Sequence, residues 1–252
     1  MADITPTIVF LALLGGVLPS VFWLWFWLKE DDLHPEPRGL IILSFLAGML
    51  ATACAYPIEK FIANNIMGTN LFLLFLWGVT EETLKFLAIF IVALRTKYFD
   101  EPIDAVIYFI TIAVGFAALE NTMFLINPLG DGDVAATILL GNFRFIGATL
   151  LHVAASGTIG VAIAFAFYSS KMMRGWIAFL GLLLAITLHT LFNFSIIVSE
   201  GSYLYEIFIA LWLFILGILF LCEKIKRMAP RSNIEYPNTG AIIISHKTFS
   251  QP

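Results

Sequence analysis

The sequence predicts an all-α polytopic membrane protein, a bundle of about seven transmembrane helices. The 252-residue chain is 60% hydrophobic and only 13% charged, and its mean hydropathy is +0.92. Soluble domains carry about half apolar and about a quarter charged residues, so a water-soluble fold is excluded. The net charge of -4 also argues against a nucleic-acid partner, because such a partner requires a clustered basic face.

Seven apolar runs are each about 20 residues long, the length that crosses a bilayer. The first run has no Lys or Arg before it, so we expect a transmembrane helix there and not a cleavable signal peptide. The two cysteines lie in separate runs and indicate neither a disulfide framework nor a cysteine-based zinc site. The predicted spans are 8–28, 39–57, 71–94, 103–126, 145–168, 175–198 and 203–222.

The basic residues predict the orientation of these spans. Of the 14 Lys and Arg residues, eleven lie in alternate loops and in the C-terminal tail. Because basic loops stay in the cytoplasm, this pattern places the N-terminus outside and the C-terminus in the cytoplasm. Residues 1–223 are therefore expected to form one transmembrane domain, and residues 224–252 a cytoplasmic, flexible tail.

Several ionisable or amide side chains lie inside the predicted spans. Each ionisable one costs roughly 2.5–3.5 kcal/mol at bilayer depth, and such residues mark functional sites by default. Asp104, near the cytoplasmic end of the fourth span, is instead expected to cap its helix. The others are Glu81, Glu82 and Lys85 in the third span, Glu120 and Asn121 in the fourth, His152 in the fifth, and His189 and Asn193 in the sixth.

These side chains are predicted to share one layer of the membrane. Counted from the outer helix ends at 1.5 Å per residue, Glu120 lies roughly 9 Å deep and the two histidines roughly 10–14 Å. Glu81 and Glu82 lie roughly 15–17 Å deep by the same count. Four helices that run in alternate directions thus place their titratable groups at one level, which predicts a shared, water-accessible site.

Helical spacing adds detail to this prediction. Lys85 follows Glu81 by four residues and Glu82 by three, so it is expected to neutralise one of them and leave the other as a base. A second stripe, at steps of eight and four residues, runs from Arg144 through His152 and Ser156 to Gly160. We interpret Ser156 and Gly160 as positions of close helix packing.

The residue types are those of a hydrolytic site. A carboxylate or an imidazole can deprotonate water, and an amide can donate to a developing oxyanion. Alternatively, the two histidines and a carboxylate bind a divalent metal such as zinc, with a fourth position for water. The rival from another class is a proton-coupled transporter or channel that uses the same groups as a proton relay. The candidate site residues are Glu81, Glu82, Glu120, His152, His189 and Asn193.

Motifs of other intramembrane proteases do not fit the chain. The His-Glu-x-x-His motif of site-2 metalloproteases is absent. Residues 130–133 contain Gly-x-Gly-Asp, as presenilin-like aspartyl proteases do, but they fall in a short outer loop and are expected to form a turn. Residues 154–157 approach the Gly-x-Ser-Gly of rhomboid-like serine proteases but lack its first glycine, and that mechanism leaves the glutamates without a role.

Four motifs in order resemble those of the PrsW family of intramembrane proteases, which is distantly related to the CAAX prenyl endopeptidases. Residues 81–86 resemble its Glu-Glu-x-x-Lys motif, and residues 101–121 its Pro-x-Asp and Gly-Phe-Ala-x-x-Glu-Asn block. Arg144 with His152 resembles the third motif, and residues 189–193 resemble the fourth. The resemblance covers most of the membrane region.

The resemblance implies cleavage of membrane-anchored protein substrates within or beside the bilayer. In bacteria the family is associated with regulated proteolysis, which includes membrane-bound anti-sigma factors, so an inner-membrane location and such a substrate are expected. The chain departs from the CAAX endopeptidase pattern, because Lys85 comes one position early and Glu120 stands where His is expected. These departures disfavour prenylated substrates. The resemblance leaves open whether the reaction uses a metal.

Overall fold

A computed structural model describes residues 4–31, 34–200 and 202–228. These ranges contain eight α-helices and no strand. A 3₁₀ turn follows the first helix, and a π-helical turn of five residues, Arg144–Ala148, joins the fifth helix to the sixth. The helices are α1 Pro6–Leu28, α2 Arg38–Asn65, α3 Asn70–Val92, α4 Pro102–Gly130, α5 Val134–Phe143, α6 Thr149–Phe165, α7 Lys171–Val198 and α8 Leu204–Ile225.

Seven long helices result, because α5, the π-helical turn and α6 form one continuous helix of 32 residues, Val134–Phe165. Six of the seven are long and apolar enough to span a membrane. The remaining one, α3, has 23 residues and carries Glu81, Glu82 and Lys85 near its middle. The predicted all-α polytopic fold is therefore confirmed.

Four of the predicted span boundaries lie four or more residues from the helix ends. The sixth span was expected to begin at residue 175, but α7 begins at Lys171. The second span was expected to end at residue 57, but α2 continues through Pro57 to Asn65. The fourth likewise continues through Pro128 to Gly130, and the fifth begins at Val134 and not at residue 145. Neither Pro57 nor Pro128 ends its helix, because in membrane helices neighbouring helices and side chains satisfy the backbone groups that proline leaves free.

Helix α4 lies at the centre of the bundle. In its most apolar stretch 94% of the residues are buried, against 17–33% in α1, α2, α7 and α8. Helices α1, α2 and α6 pack directly around it, and α3 and α7 pack against each other beside α2 and α6. A helix that is apolar on all sides belongs in such a core position, and the exposed apolar side chains of the outer helices are suited to contact lipid.

Helices α2 and α4 cross with their backbones in contact. A Cβ atom on Gly115 would lie 2.1 Å from the carbonyl oxygen of Phe45, and a Cβ atom on Gly48 would lie 2.1 Å from that of Ile112. Small residues permit this approach between membrane helices. The crossing fixes α2, and hence the polar residues near its far end, against the central helix.

The first turn of α4 is capped by a carboxylate, as expected for Asp104. Its Oδ2 accepts hydrogen bonds from the backbone N–H groups of Asp100 at 2.9 Å and Glu101 at 2.6 Å. Nearby, the hydroxyl of Tyr108 donates to the carboxyl of Glu36 in the α1–α2 connection. These contacts tie that connection to the central helix.

The last helix ends in an ion-pair network. Lys226, directly after α8, donates to Glu30 at 2.6 Å and to Glu223 at 2.9 Å. The network joins the end of α8 to the 3₁₀ turn after α1. The tail that we expect to be flexible lies, from residue 229 onward, outside the described residues.

Candidate active site

Three helices bring four of the predicted site residues into one buried cluster. Glu81 and Glu82 come from α3, His152 from α6 and His189 from α7. Each offers one oxygen or nitrogen atom, and these atoms all lie within 4.8 Å of one another. The convergence predicted from membrane depth is therefore present in the structure.

Glu82 is the most completely bonded member of the cluster. Lys85 Nζ donates to its Oε1 at 2.7 Å, and His189 Nδ1 lies 2.8 Å from the same oxygen. The hydroxyl of Ser156 donates to its Oε2 at 3.0 Å. Because Lys85 Nζ is 3.5 Å from Glu81, Glu82 is the carboxylate that the lysine neutralises.

The interpretation of Ser156 as a packing position was incomplete. Its hydroxyl is buried and bonds to Glu82. The signal was available in the spacing, since Ser156 follows His152 by four residues and therefore faces the same way on α6. At Gly160 the packing interpretation is confirmed, because a Cβ atom there would lie 2.8 Å from the Cα of Val106.

Glu120 joins the cluster through the outer nitrogen of His152. Its Oε2 lies 3.0 Å from His152 Nε2 and also accepts a hydrogen bond from the guanidinium of Arg144. The Arg144 Nε donates to Asn121 Oδ1 at 2.6 Å, and the Asn121 amide donates to Thr149 at 3.0 Å. A polar network from α4 and the π-helical turn thus holds Glu120 in place.

Sequence reasoning did not include Arg144 in the site. The residue was assigned to the edge of an outer loop, but it opens the π-helical turn inside a continuous helix. Such turns occur frequently at functional sites. Two signals were available: Arg144 precedes His152 by eight residues in the same stripe, and a basic residue on the outer side departs from the positive-inside pattern.

Glu81 faces the two imidazoles without a direct hydrogen bond to either. Its Oε2 lies 3.8 Å from His152 Nδ1 and 3.7 Å from His189 Nε2, both beyond hydrogen-bond distance. Lys85 Nζ donates to His152 Nδ1 at 2.8 Å, so Nδ1 is the unprotonated nitrogen of this ring. The proton of the imidazole is therefore on Nε2, which donates to Glu120. His189 likewise directs Nδ1–H at a carboxylate and turns Nε2 toward Glu81.

These donors fit a hydrolytic metal site. Two imidazole nitrogens and one carboxylate oxygen form a known zinc ligand set that leaves a position for water. Metal-binding histidines almost always direct their second nitrogen at a carboxylate, a carbonyl or water, and here Glu120 and Glu82 stand behind the two rings. Metal binding at His152 Nδ1 requires the ammonium of Lys85 to leave that nitrogen and stay with Glu82.

Asn193 is not brought into this network. It lies one turn beyond His189 on the same face of α7 and is partly exposed. Within the described part of the chain, no hydrogen bond joins its side chain to the cluster. Of the six predicted residues, it is the one that stands apart.

A further carboxylate, Glu59 of α2, lies beside the cluster and was not predicted. Its charged neighbours are Glu81, Glu120, Lys85 and His189. Its Oε1 is buried and has no hydrogen-bond partner among the described residues. Sequence reasoning placed Glu59 in a loop, since the second span was expected to end at residue 57.

Comparison with known proteins agrees with the resemblance seen in the motifs. The sequence profile of the PrsW family intramembrane metalloproteases matches residues 36–220. Protease PrsW of Bacillus subtilis (strain 168) is 28% identical over 218 residues, which cover 82% of this chain and 93% of that protein. Protease PrsW of Geobacillus kaustophilus (strain HTA426) is 27% identical over 205 residues, 79% of this chain and 86% of that protein. No solved structure matches the chain.

The matched segment contains the whole buried cluster. It begins before α2, ends within α8 and so covers more than half of the sequence. The polar residues of the cluster are those that carried the four motifs, with Glu59 and Ser156 in addition. The chain therefore belongs to the PrsW family and is a multi-pass intramembrane peptidase.

Proposed function

We propose that this peptidase hydrolyses peptide bonds of membrane-anchored proteins at the centre formed by Glu81, His152 and His189. The observation that carries the proposal is the arrangement of the two imidazoles. Each turns an unprotonated nitrogen toward Glu81, and each directs its protonated nitrogen at another carboxylate. The proposed catalytic residues are Glu81, Glu82, Glu120, His152, His189 and Asn193.

Glu81, His152 and His189 would hold a divalent cation such as zinc, which would supply a Lewis acid and lower the pKa of bound water. The charge of the surroundings supports such an ion. With Glu81, Glu82 and Glu120 ionised, three carboxylates face the two cationic side chains of Lys85 and Arg144, which leaves one excess negative charge.

The other residues have distinct roles in this proposal. Glu82 and Glu120 fix the tautomer and orientation of the imidazoles. Glu120 is the most exposed of the three site carboxylates, with 21% of its side chain accessible, and exchanges protons with water. Asn193, one turn beyond His189, donates from its amide to the oxyanion that develops on the substrate carbonyl.

Metal content and cleavage, measured on the same purified full-length protein, test the proposal. We expect about one divalent metal per chain, loss of cleavage of a single-span membrane-anchored reporter after chelation, and recovery when zinc is returned. Full cleavage by metal-free protein would contradict the metal mechanism and would indicate that Glu81 itself acts as the general base.

Substitution tests the residue assignments separately. Glu81→Gln, Glu82→Gln and His189→Ala are each expected to abolish cleavage. Glu81→Gln and His189→Ala each remove a proposed metal ligand, and Glu82→Gln changes the carboxylate that orients the His189 ring. Glu206→Gln on the exposed face of α8 is the matched control. Full activity of all three site variants would refute the assignment.

The proposed substrate is a membrane-bound anti-sigma factor, and the proposed location is the bacterial inner membrane. Family membership and the bacterial origin of the relatives support both. The proposed topology places the site beneath the outer leaflet, with residues 1–223 as the protease domain and residues 224–252 as a cytoplasmic tail. Reporters that carry the span of an anti-sigma factor should be cleaved, and reporters with an unrelated span should not.

A further inference from the structure

Two buried polar atoms, one on α2 and one on α3, have no hydrogen-bond partner in the described part of the chain. One is an acceptor, Oε1 of Glu59, and the other is a donor, Nε1 of Trp77. The remaining atoms of this kind belong to Trp27, near the end of α1, and Ser44, near the start of α2. A buried polar atom without a partner is costly, so the two atoms on α2 and α3, the helices that lead toward the site, call for an explanation.

The two atoms belong to one level of the bundle. Glu59 stands six residues before the end of α2, and Trp77 seven residues after the start of α3. At 1.5 Å per residue, both lie about 9–11 Å from the short connection 66–69, whereas Glu81 lies about 16 Å from it. Glu59 and Trp77 therefore stand between the cluster and the α2–α3 connection.

Sequence spacing relates Trp77 to the site, and electrostatic interaction relates Glu59 to it. Trp77 precedes Glu81 by four residues and so shares its face of α3. Glu59 lies within the electrostatic field of Glu81, Glu120, Lys85 and His189, yet no ion pair or hydrogen bond links it to these groups in the described residues. Glu59 is therefore close enough to these charged groups to interact with them electrostatically but is not bonded to any of them.

We propose that Glu59 and Trp77 bind the backbone of the extended peptide segment that leads to the scissile bond. A backbone N–H of the substrate donates to Glu59 Oε1, and the indole N–H of Trp77 donates to a backbone carbonyl. A peptide chain at membrane depth must have both kinds of group satisfied, and main-chain hydrogen bonds are a general mode of peptide capture. The inference rests on the site proposed above.

Kinetics of the purified full-length protein in proteoliposomes, with a single-span reporter that the wild type cleaves, test this role. Glu59→Leu removes the acceptor and should raise KM about tenfold or more. Trp77→Phe removes only the N–H and should raise KM about threefold to tenfold. For both variants kcat should stay within about twofold, because the lost interaction is made in the ground state and the transition state alike.

Three control variants separate this role from others. Glu59→Gln keeps an acceptor oxygen and should stay close to the wild type in KM. Glu206→Leu and Trp176→Phe make matched changes at exposed positions on α8 and α7 and should have no effect. A fall in kcat without a change in KM, or unchanged KM in both Glu59→Leu and Trp77→Phe, would overturn the proposal.

Cross-linking gives a second measurement that needs no catalysis. In a Glu81→Gln protein with both native cysteines replaced by Ser, Glu59→Cys should form a disulfide with a cysteine scanned through the reporter span. A chain that keeps only the exposed Cys54 of the same helix is the control. Disulfides at Cys54 but not at position 59 would contradict the proposal even if the site variants abolish cleavage as expected.

Discussion

Lys85 carries the positive charge around which the buried cluster is arranged. Its side chain is fully buried, and its ammonium donates to Glu82 and to His152. The same ammonium lies 4.1 Å from the centre of the Phe116 ring, a contact that favours a cation. Removal of the charge leaves Glu82 buried without its counterion.

We therefore predict that Lys85→Met is strongly destabilising. Breaking a buried ion pair from one side costs about 3–5 kcal/mol, because the other charge stays buried and unpaired. Chemical unfolding of the purified protein in detergent measures the change. Lys97→Met, at an exposed position after α3, is the control and should change the free energy of unfolding by less than about 0.5 kcal/mol. An equally small change for Lys85→Met would show that the ion pair contributes little to stability.

Glu36, in the connection between α1 and α2, predicts a pH dependence of stability. Burial raises the pKa of this carboxyl from 4.5 to about 8, against the opposing effect of the hydrogen bond from Tyr108. The folded state thus holds a proton that the unfolded state releases near pH 4.5, so this contribution to stability is lost as the pH rises toward 8. Between pH 6 and 9 the Tm of the wild type should fall further than that of Glu36→Gln. Parallel curves would contradict the assignment.

The site residues differ in how far the sequence could predict them. Glu81, Glu82 and the two histidines were predictable, because a titratable group at bilayer depth needs a polar surrounding. Ser156 carried no such cost and was read as a packing residue. Glu59 was assigned to a loop by the predicted end of the second span, and the continuation of α2 brings it to the cluster. Arg144 was placed in the stripe of His152 but at the edge of an outer loop, and the π-helical turn instead places it inside a continuous helix.

At the scale of helices, the α2–α4 crossing should be the contact least tolerant of added volume. Gly115→Ala places a methyl group against the backbone of Phe45, which cannot move as a side chain can. Overpacking of this kind lowers the free energy of unfolding by about 1–3 kcal/mol. Because the obstacle is backbone, we expect a loss of about 3 kcal/mol for Gly115→Ala. Gly175→Ala is the control, because a Cβ atom there meets nothing within 4 Å. The free energies of unfolding of the two variants in detergent measure this difference. Equal values would contradict the close crossing of α2 and α4.

The π-helical turn is expected to act through Arg144. Its guanidinium donates to Glu120 and Asn121 at once, and the single ammonium of Lys lacks that fixed fork. Arg144→Lys should therefore lower kcat by about 10–100-fold, as loss of outer-shell support does in metal sites. Arg95→Lys, at an exposed position, is the control. Unchanged cleavage by Arg144→Lys would mean that Glu120 needs no such support.

At the scale of the whole molecule, the proposed topology predicts which loops meet the cell exterior. In a chain without native cysteines, Asp131→Cys between α4 and α5 should react with a membrane-impermeant maleimide on intact cells. Lys171→Cys at the start of α7 should react only after permeabilisation. Both positions are exposed, so burial does not confound the comparison. The reverse pattern would invert the orientation and place the site near the cytoplasmic leaflet.

The seven long helices were predictable because long apolar runs predict them, although α3, with three charged residues, is not among the six that are apolar enough to span a membrane. The central position of α4 was less accessible to sequence reasoning, since α1 and α8 are no less apolar than α4. What distinguishes α4 is the small-residue contact that it offers to α2 and α6, at Gly115 and beside Gly160. Such contacts depend on which faces meet, and the sequence of one helix does not contain that information.

The ion pair within α3 has a consequence for the biogenesis of the protein. A helix with three charges near its middle is a poor candidate to leave the translocation channel alone. Lys85 and Glu82 lie one turn apart on the same helix, so two of these charges neutralise each other as soon as α3 has been synthesised. The apolar helix α2, joined to α3 by the short connection 66–69, is already synthesised and can pack against α3. Helix α3 can thus enter the lipid before the ribosome has produced either histidine.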